Sequence, residues 1–126
     1  MKGTLDYEIV SNNPVVKDKY ENVISVEGDF KDVLIKVRDL VHTGSELINH
    51  PLGASIRMFY SPYRSIIIRR KSGIADEFHI KTIDNSIQNY NKQIESRSPD
   101  DSNSEDYSFI DESLLDSALE EFKKNN

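Results

Sequence analysis

The stretch Ser61-Pro62-Tyr63-Arg64-Ser65 sets a guanidinium, a phenol and two hydroxyls on a turn that proline stiffens. Arginine grips a carboxylate or phosphate with two parallel hydrogen bonds, and Tyr and Ser add directional ones. Upstream, His50-Pro51 places an imidazole in a proline-bounded loop, where it suits acid–base work or ligand contact. Asn12-Asn13-Pro14 offers amide donors and a helix N-terminus to an anion. Asn12, Asn13, His50, Tyr63, Arg64 and Ser65 are therefore candidate contacts for a small anionic ligand. Each also has a plainer use. Asn13 is a good helix N-cap, Pro62 starts a turn, and an arginine before a strand can serve as an ion-pair partner.

Other chemistry is poorly supported. The chain has no cysteine, so thiolate catalysis, disulfides and Cys-ligated zinc are excluded. His42, His50 and His79 lack zinc-ligand spacing, and no metal site is expected. His42 falls at a helix C-terminus, where the dipole favours its charge and a structural role suffices. Ser65 as a nucleophile would need a base and an oxyanion hole, and neither is visible. No glycine-rich phosphate loop or dinucleotide fingerprint occurs, so no cofactor is expected. Arg57-Met58-Phe59-Tyr60 resembles an aromatic-basic patch, but it is a single cluster in an acidic chain, which argues against nucleic acid. Catalytic residues stay unassigned.

The elements that must position these groups follow from pattern. Leu5, Tyr7 and Ile9 alternate with acids and predict a first strand. Asn13-Pro14 opens a short helix, and Val23 to Val26 forms a second strand. Phe30, Val33, Leu34, Val37, Leu40 and Val41 share one face of a helix from Phe30 to His42, with Asp29 as its cap. Glu46 to Asn49 reads as a short strand. Ser65 to Arg70, with three consecutive isoleucines, reads as one buried on both faces. Ile80, Ile83, Ile87, Tyr90 and Ile94 mark a long helix after Asp76, although Phe78 to Thr82 also alternates like a strand. A last apolar face, Ile110, Leu114, Leu115, Ala118, Leu119 and Phe122, predicts a C-terminal amphipathic helix, with Ser108 and Asp111 in a capping box.

This order predicts an α/β fold: a small, mostly parallel sheet of about four strands flanked by helices, plus a C-terminal helix after an acidic linker. The expected division is a domain over 1–98, a linker over 99–108 and the helix over 109–126. Ligands of such sheets sit at the carboxyl ends of the strands, where the Asn12 and His50 loops would meet. The chain of 126 residues is the size of one domain. Its polar N-terminus and lack of a long apolar run predict a cytoplasmic protein with no membrane span.

The net charge of −6 is unevenly spread. Residues 99–126 hold nine acids against two lysines, whereas residues 1–98 are nearly neutral. Between Leu47 and Ala75 there is no acid, but there are Arg57, Arg64, Arg69, Arg70 and Lys71. That surplus either raises the potential for an anion or meets the acidic tail.

Several of these pieces occur in the order seen in the GrdX family. They are Asn12-Asn13-Pro14 after the first strand, the helix VLIKVRDLVH from Val33 to His42, Gly44, His50-Pro51-Leu52-Gly53-Ala54-Ser55-Ile56, and Pro62-Tyr63-Arg64-Ser65-Ile66. The resemblance spans about residues 5 to 90. It departs at Ser45, where family members commonly carry a second histidine, and at Arg57-Met58-Phe59, where they favour a Lys-Pro-Asn-like segment. The resemblance adds Ser55 to the candidate ligand contacts. It implies an accessory role beside glycine, sarcosine and betaine reductases in anaerobic amino-acid fermentation, with reductase-system proteins as partners. Two other readings stay open. One is a small enzyme on a carboxylate or phosphate metabolite with His50 as acid–base. The other is a partner-binding module, or homo-oligomer, using the C-terminal helix.

Overall fold

The computed structural model describes residues 6–53, 60–70, 74–95 and 101–124. Ser55, Arg57 to Phe59 and Lys71 lie outside the described residues. The elements run β1 (Glu8–Ser11), α1 (Pro14–Lys19), β2 (Val23–Ser25), α2 (Phe30–His42), β3 (Glu46–Leu47), β4 (Ser65–Arg69), α3 (Glu77–Ile94), a short 3-10 turn (Asp101–Asn103) and α4 (Ser104–Lys124).

Local signals explain most of these boundaries. Asn13 accepts from the Val15 N–H, and Pro14 follows as the first helical residue of α1. Asp29 and Asp32 bond reciprocally across the first turn of α2, closing a capping box. Asp76 caps α3 through the Phe78 N–H, so the Phe78–Thr82 segment is helical rather than strand. α4 begins at Ser104, ahead of the cap expected at Ser108. Ser108 and Asp111 instead lie on the buried side of this helix.

The sheet order is β2-β1-β4-β3, and only β1–β2 is parallel. The expectation of a mostly parallel sheet is thus corrected. Parallel neighbours need a crossover, usually a helix. α1 supplies one between β1 and β2. β4 instead returns antiparallel to β3, as the second arm of a wide hairpin, and pairs antiparallel with β1.

Helices cover both faces. On one, Phe30, Val33, Leu34, Val37 and Val41 of α2 and Ile83 and Tyr90 of α3 pack on Val10, Ile66 and Ile68. The Phe30 and Tyr90 rings stack at 4.8 Å. On the other, Val16 of α1 and Leu115 and Leu119 of α4 pack on Ile9 and Ile67. Side chains alternate along a strand, so Ile66 and Ile68 serve the first core while Ser65 and Ile67 face α4. This is why three successive isoleucines are all fully buried.

Candidate functional site

The predicted polar residues gather at one end of the sheet. Ser11 ends β1, Ser65 starts β4, and the register pairs them. The Asn12 side chain bridges outward from there. Its Oδ1 accepts from the Arg64 N–H at 3.0 Å, and its Nδ2 donates to the Pro62 and Gly28 carbonyls at 2.8 and 2.9 Å. Gly28 adopts φ +137° just before the Asp29 cap. Three chain segments thus meet on one amide.

Arg64 lies at the centre. The sequence places it on a turn outside the core, yet it is 3 % exposed. Its Nε donates to the Pro51 carbonyl at 2.7 Å, its Nη2 donates to the His50 carbonyl, and Nη1 stands 3.9 Å from an Asp111 carboxylate oxygen. Burial pulls its pKa below the ordinary value, and the Asp111 carboxylate works against that. The backbone of Gly53, at φ +73°, lies against the guanidinium. That left-handed conformation favours glycine. His50-Pro51-Leu52-Gly53 is therefore a turn wrapped round the Arg64 head, closed by the Gly53 N–H on the His50 carbonyl at 3.1 Å.

The anion in this cluster comes from the chain itself. Asp111 of α4 is completely buried. Its Oδ1 accepts from the Ser65 N–H at 2.9 Å. Its Oδ2 accepts from Ser65 Oγ at 2.7 Å and from Asn13 Nδ2 at 3.0 Å. The second Asn13 amide hydrogen goes to the Ser108 carbonyl. Ser65 Oγ donates to a carboxylate, so the hydroxyl contact at 2.8 Å must run from Ser11 to Ser65. Ser11 Oγ in turn accepts from the Asn13 N–H. The result is a directional chain: Asn13 N–H to Ser11, Ser11 to Ser65, Ser65 to Asp111. Such chains strengthen one another in a dry interior.

His50 keeps its ring at the surface. Its Nδ1 accepts from the Leu52 N–H at 3.1 Å, so Nε2 carries the proton in the neutral form. Burial, and then the positive charge of Arg64, lower its pKa. Acting as a base would use the Nδ1 lone pair and so give up the turn bond. Tyr63 is half-buried, with its backbone N–H held by Ser61 Oγ at 3.0 Å. Asn12, Asn13, Arg64 and Ser65 are thus joined in one network, to which His50 contributes its carbonyl. Tyr63 neighbours it, and Ser55 is not described.

The described basic residues between Leu47 and Ala75 each face nearby acids. Arg64 faces Asp111, Arg69 lies near Asp6 and Glu46, and Arg70 bonds Glu8 at 2.9 Å. Away from this cluster, ligand atoms of Glu46, Asp76 and His79 all lie within 4.8 Å of one another. There His79 Nδ1 accepts from the Leu47 N–H, which leaves the proton on Nε2 facing Glu46. Arg69 also stands 3.9 Å from Glu46. A metal-bound histidine normally donates from its second nitrogen, so this corner fits a hydrogen-bonded ion-pair group better than a metal site.

Four contributors escape sequence reasoning: Ser11, Asn49, Ser108 and Asp111. Asn49 substitutes for strand backbone, its Oδ1 accepting from the Ile67 N–H at 2.7 Å. Asp111 had a visible signal. It sits one turn before Leu115 on the stripe that continues through Leu119, a position where a charge needs a buried partner.

The residues that make the clasp, from the Asn12 amide to the Arg64 turn and on to α4, fall inside a family-model match to the GrdX-like proteins over residues 8–120. The chain belongs to the GrdX-like protein family. No curated protein and no solved structure matches it. In this GrdX-like chain the His50–Gly53 and Pro62–Ser65 segments form one unit, a loop closed over an arginine. The match reaches into α4 as far as Glu120, so the helix carrying Asp111 lies within the family match. Among the described residues no helix is long and apolar enough to cross a membrane.

Proposed function

We propose that this GrdX-like protein is a non-catalytic accessory component of an amino-acid reductase system and acts by binding a partner protein. The family's association with glycine, sarcosine and betaine reductases supplies the setting. The observation that carries the reading is the condition of the polar cluster. Arg64, Ser65, Asn13 and Asp111 are buried and satisfy one another. The Ser65 hydroxyl donates to Asp111 and accepts from Ser11, and both it and the carboxylate are fully buried, so neither is open to a substrate in this fold. These groups hold the tail helix against the sheet, and the outward surfaces are left for recognition.

A small-anion reading has one observation in its favour: Asn13 and Ser65 donate to a carboxylate beside Arg64. An external carboxylate would have to displace Asp111, and with it α4. That would expose Leu115 and Leu119, at a cost of about 1.5–3 kcal/mol each. A metabolite held by a few hydrogen bonds, each worth about 1.5–3 kcal/mol, has little surplus to meet it. Partner binding is therefore the better account.

The test is association of the purified chain with each component of a reconstituted glycine, sarcosine or betaine reductase, by sedimentation velocity. One component should form a complex, and the chain alone should turn over none of the substrates. Absence of any complex, together with a thermal shift from glycine, sarcosine, betaine or acetyl phosphate, would overturn the proposal in favour of the small-ligand reading.

A further inference from the structure

α4 carries two apolar stripes, and the sheet uses only one. Leu115 and Leu119 are buried with Asp111, whereas Ile110 and Leu114, one turn apart on the adjoining flank, are 44 % and 42 % exposed. A further turn along, Ala118 begins a groove of ≈ 490 Å³ between α4 and the edge strand β3, lined by Leu47, Ile48 and Phe122 and by the polar Asn49, Arg69 and Glu121. An apolar track therefore runs from Ile110 through Leu114 into the groove.

Charge identifies the occupant. Between Ser104 and Phe122 the helix has no basic residue. Asp111 is spent inside, and Glu112 and Asp116 are held by Lys19. Asp106, one turn before Ile110, and Glu120 are exposed and make no ion pair among the described residues, and the groove's Arg69 stands near Asp6 and Glu46. Resting on the accessory reading above, we propose that this flank, from Asp106 to Glu121, docks a basic amphipathic helix of the partner protein. Its apolar side covers Ile110 and Leu114, and its lysines or arginines meet Asp106 and Glu120. An acidic occupant would set like charges together as it covered the track. A second copy is disfavoured for the same reason, because the chain carries a net −6. An added strand is disfavoured because the Leu47 N–H of β3 is already taken by His79 Nδ1.

The probe is a synthetic Leu/Lys amphipathic helix, titrated into the isotope-labelled full chain and followed by amide chemical shifts. A Leu/Glu peptide of the same apolar pattern is the control. The Leu/Lys peptide should bind, with shifts confined to Asp106–Glu121 and β3, and the Leu/Glu peptide should not. Ile110→Ser with Leu114→Ser should weaken binding at least about tenfold, with melting temperature and helix content kept. Asp106→Asn with Glu120→Gln should weaken it and flatten its salt dependence. Equal binding of both peptides, shifts centred elsewhere, or unchanged affinity of both double variants would overturn the proposal. So would a wild-type dimer that Ile110→Ser with Leu114→Ser dissolves, since the occupant would then be a second copy. A reductase component that binds wild type and both variants alike would sink this face but leave the accessory reading intact. Failure of every component to bind would sink the accessory reading itself.

Discussion

Replacing Asp111 with Ala should be among the most damaging single changes in this protein. The substitution removes three hydrogen bonds to a carboxylate, from the Ser65 N–H, Ser65 Oγ and Asn13 Nδ2. It also leaves the buried Arg64 charge without its counter-ion 3.9 Å away. Removing one partner of a buried pair costs about 3–5 kcal/mol, because the other charge stays desolvated. Domains of this size hold only about 5–15 kcal/mol in total. With a urea dependence of about 1–3 kcal/mol per molar, the unfolding midpoint should fall by about 2 M. Ser65→Ala, which keeps the backbone donor and the carboxylate, should cost only about 1–2 kcal/mol. Arg64→Met fills the space without the charge. Combined with Asp111→Ala, it should cost less than the sum of the two single changes, by about 0.5–3 kcal/mol. Urea unfolding followed by circular dichroism reads all four variants. A loss below about 1 kcal/mol for Asp111→Ala, or strict additivity with Arg64→Met, would show that α4 docks by apolar contact alone and that the clasp is incidental.

Other outcomes follow from single contacts. His50 has a lowered pKa in the fold, so the folded state resists protonation; stability should be full above the ordinary value of 6.5 and fall as pH drops below it toward the folded value, and His50→Asn should remove that part of the acid sensitivity in melting curves. Gly53→Ala puts a side chain at φ +73°, facing the guanidinium at 3.6 Å, and should cost about 1–2 kcal/mol in the same unfolding assay, whereas a neutral result would show that the turn can re-form around Arg64. Leu119→Ala should lose about 2–5 kcal/mol, because its side chain is nearly fully buried against the sheet; a surface-like loss below 0.5 kcal/mol would place α4 away from the sheet in solution.

The sequence by itself determined the local elements. The capping pair Asp29 and Asp32, the Asn13-Pro14 start, and the helical spacing of Phe30 to Val41 and of Ile80 to Ile94 are short-range properties. So is the alternation that buries Ile66 and Ile68 on one face and Ile67 on the other. The meeting of the Asn12 and His50 loops at one sheet end was also legible, since both follow strands at their carboxyl ends, but Arg64 and Ser65 join them only because β4 runs antiparallel to β1. The tertiary structure decided the rest. Whether β4 ran parallel or returned as a hairpin depended on what lay between β3 and β4, and a stretch with no helical period left that unspecified. Arg64 read as a surface anion grip because nothing local shows that the loop at His50–Gly53 folds over it. Asp111 read as a cap because a carboxylate near a helix start serves as well as one on its buried side. Only docking α4 brings it to Ser65, 46 residues away in sequence. A local pattern records which side chains share a face. The partner of a buried charge is set by chain segments far apart, and their meeting depends on the whole core.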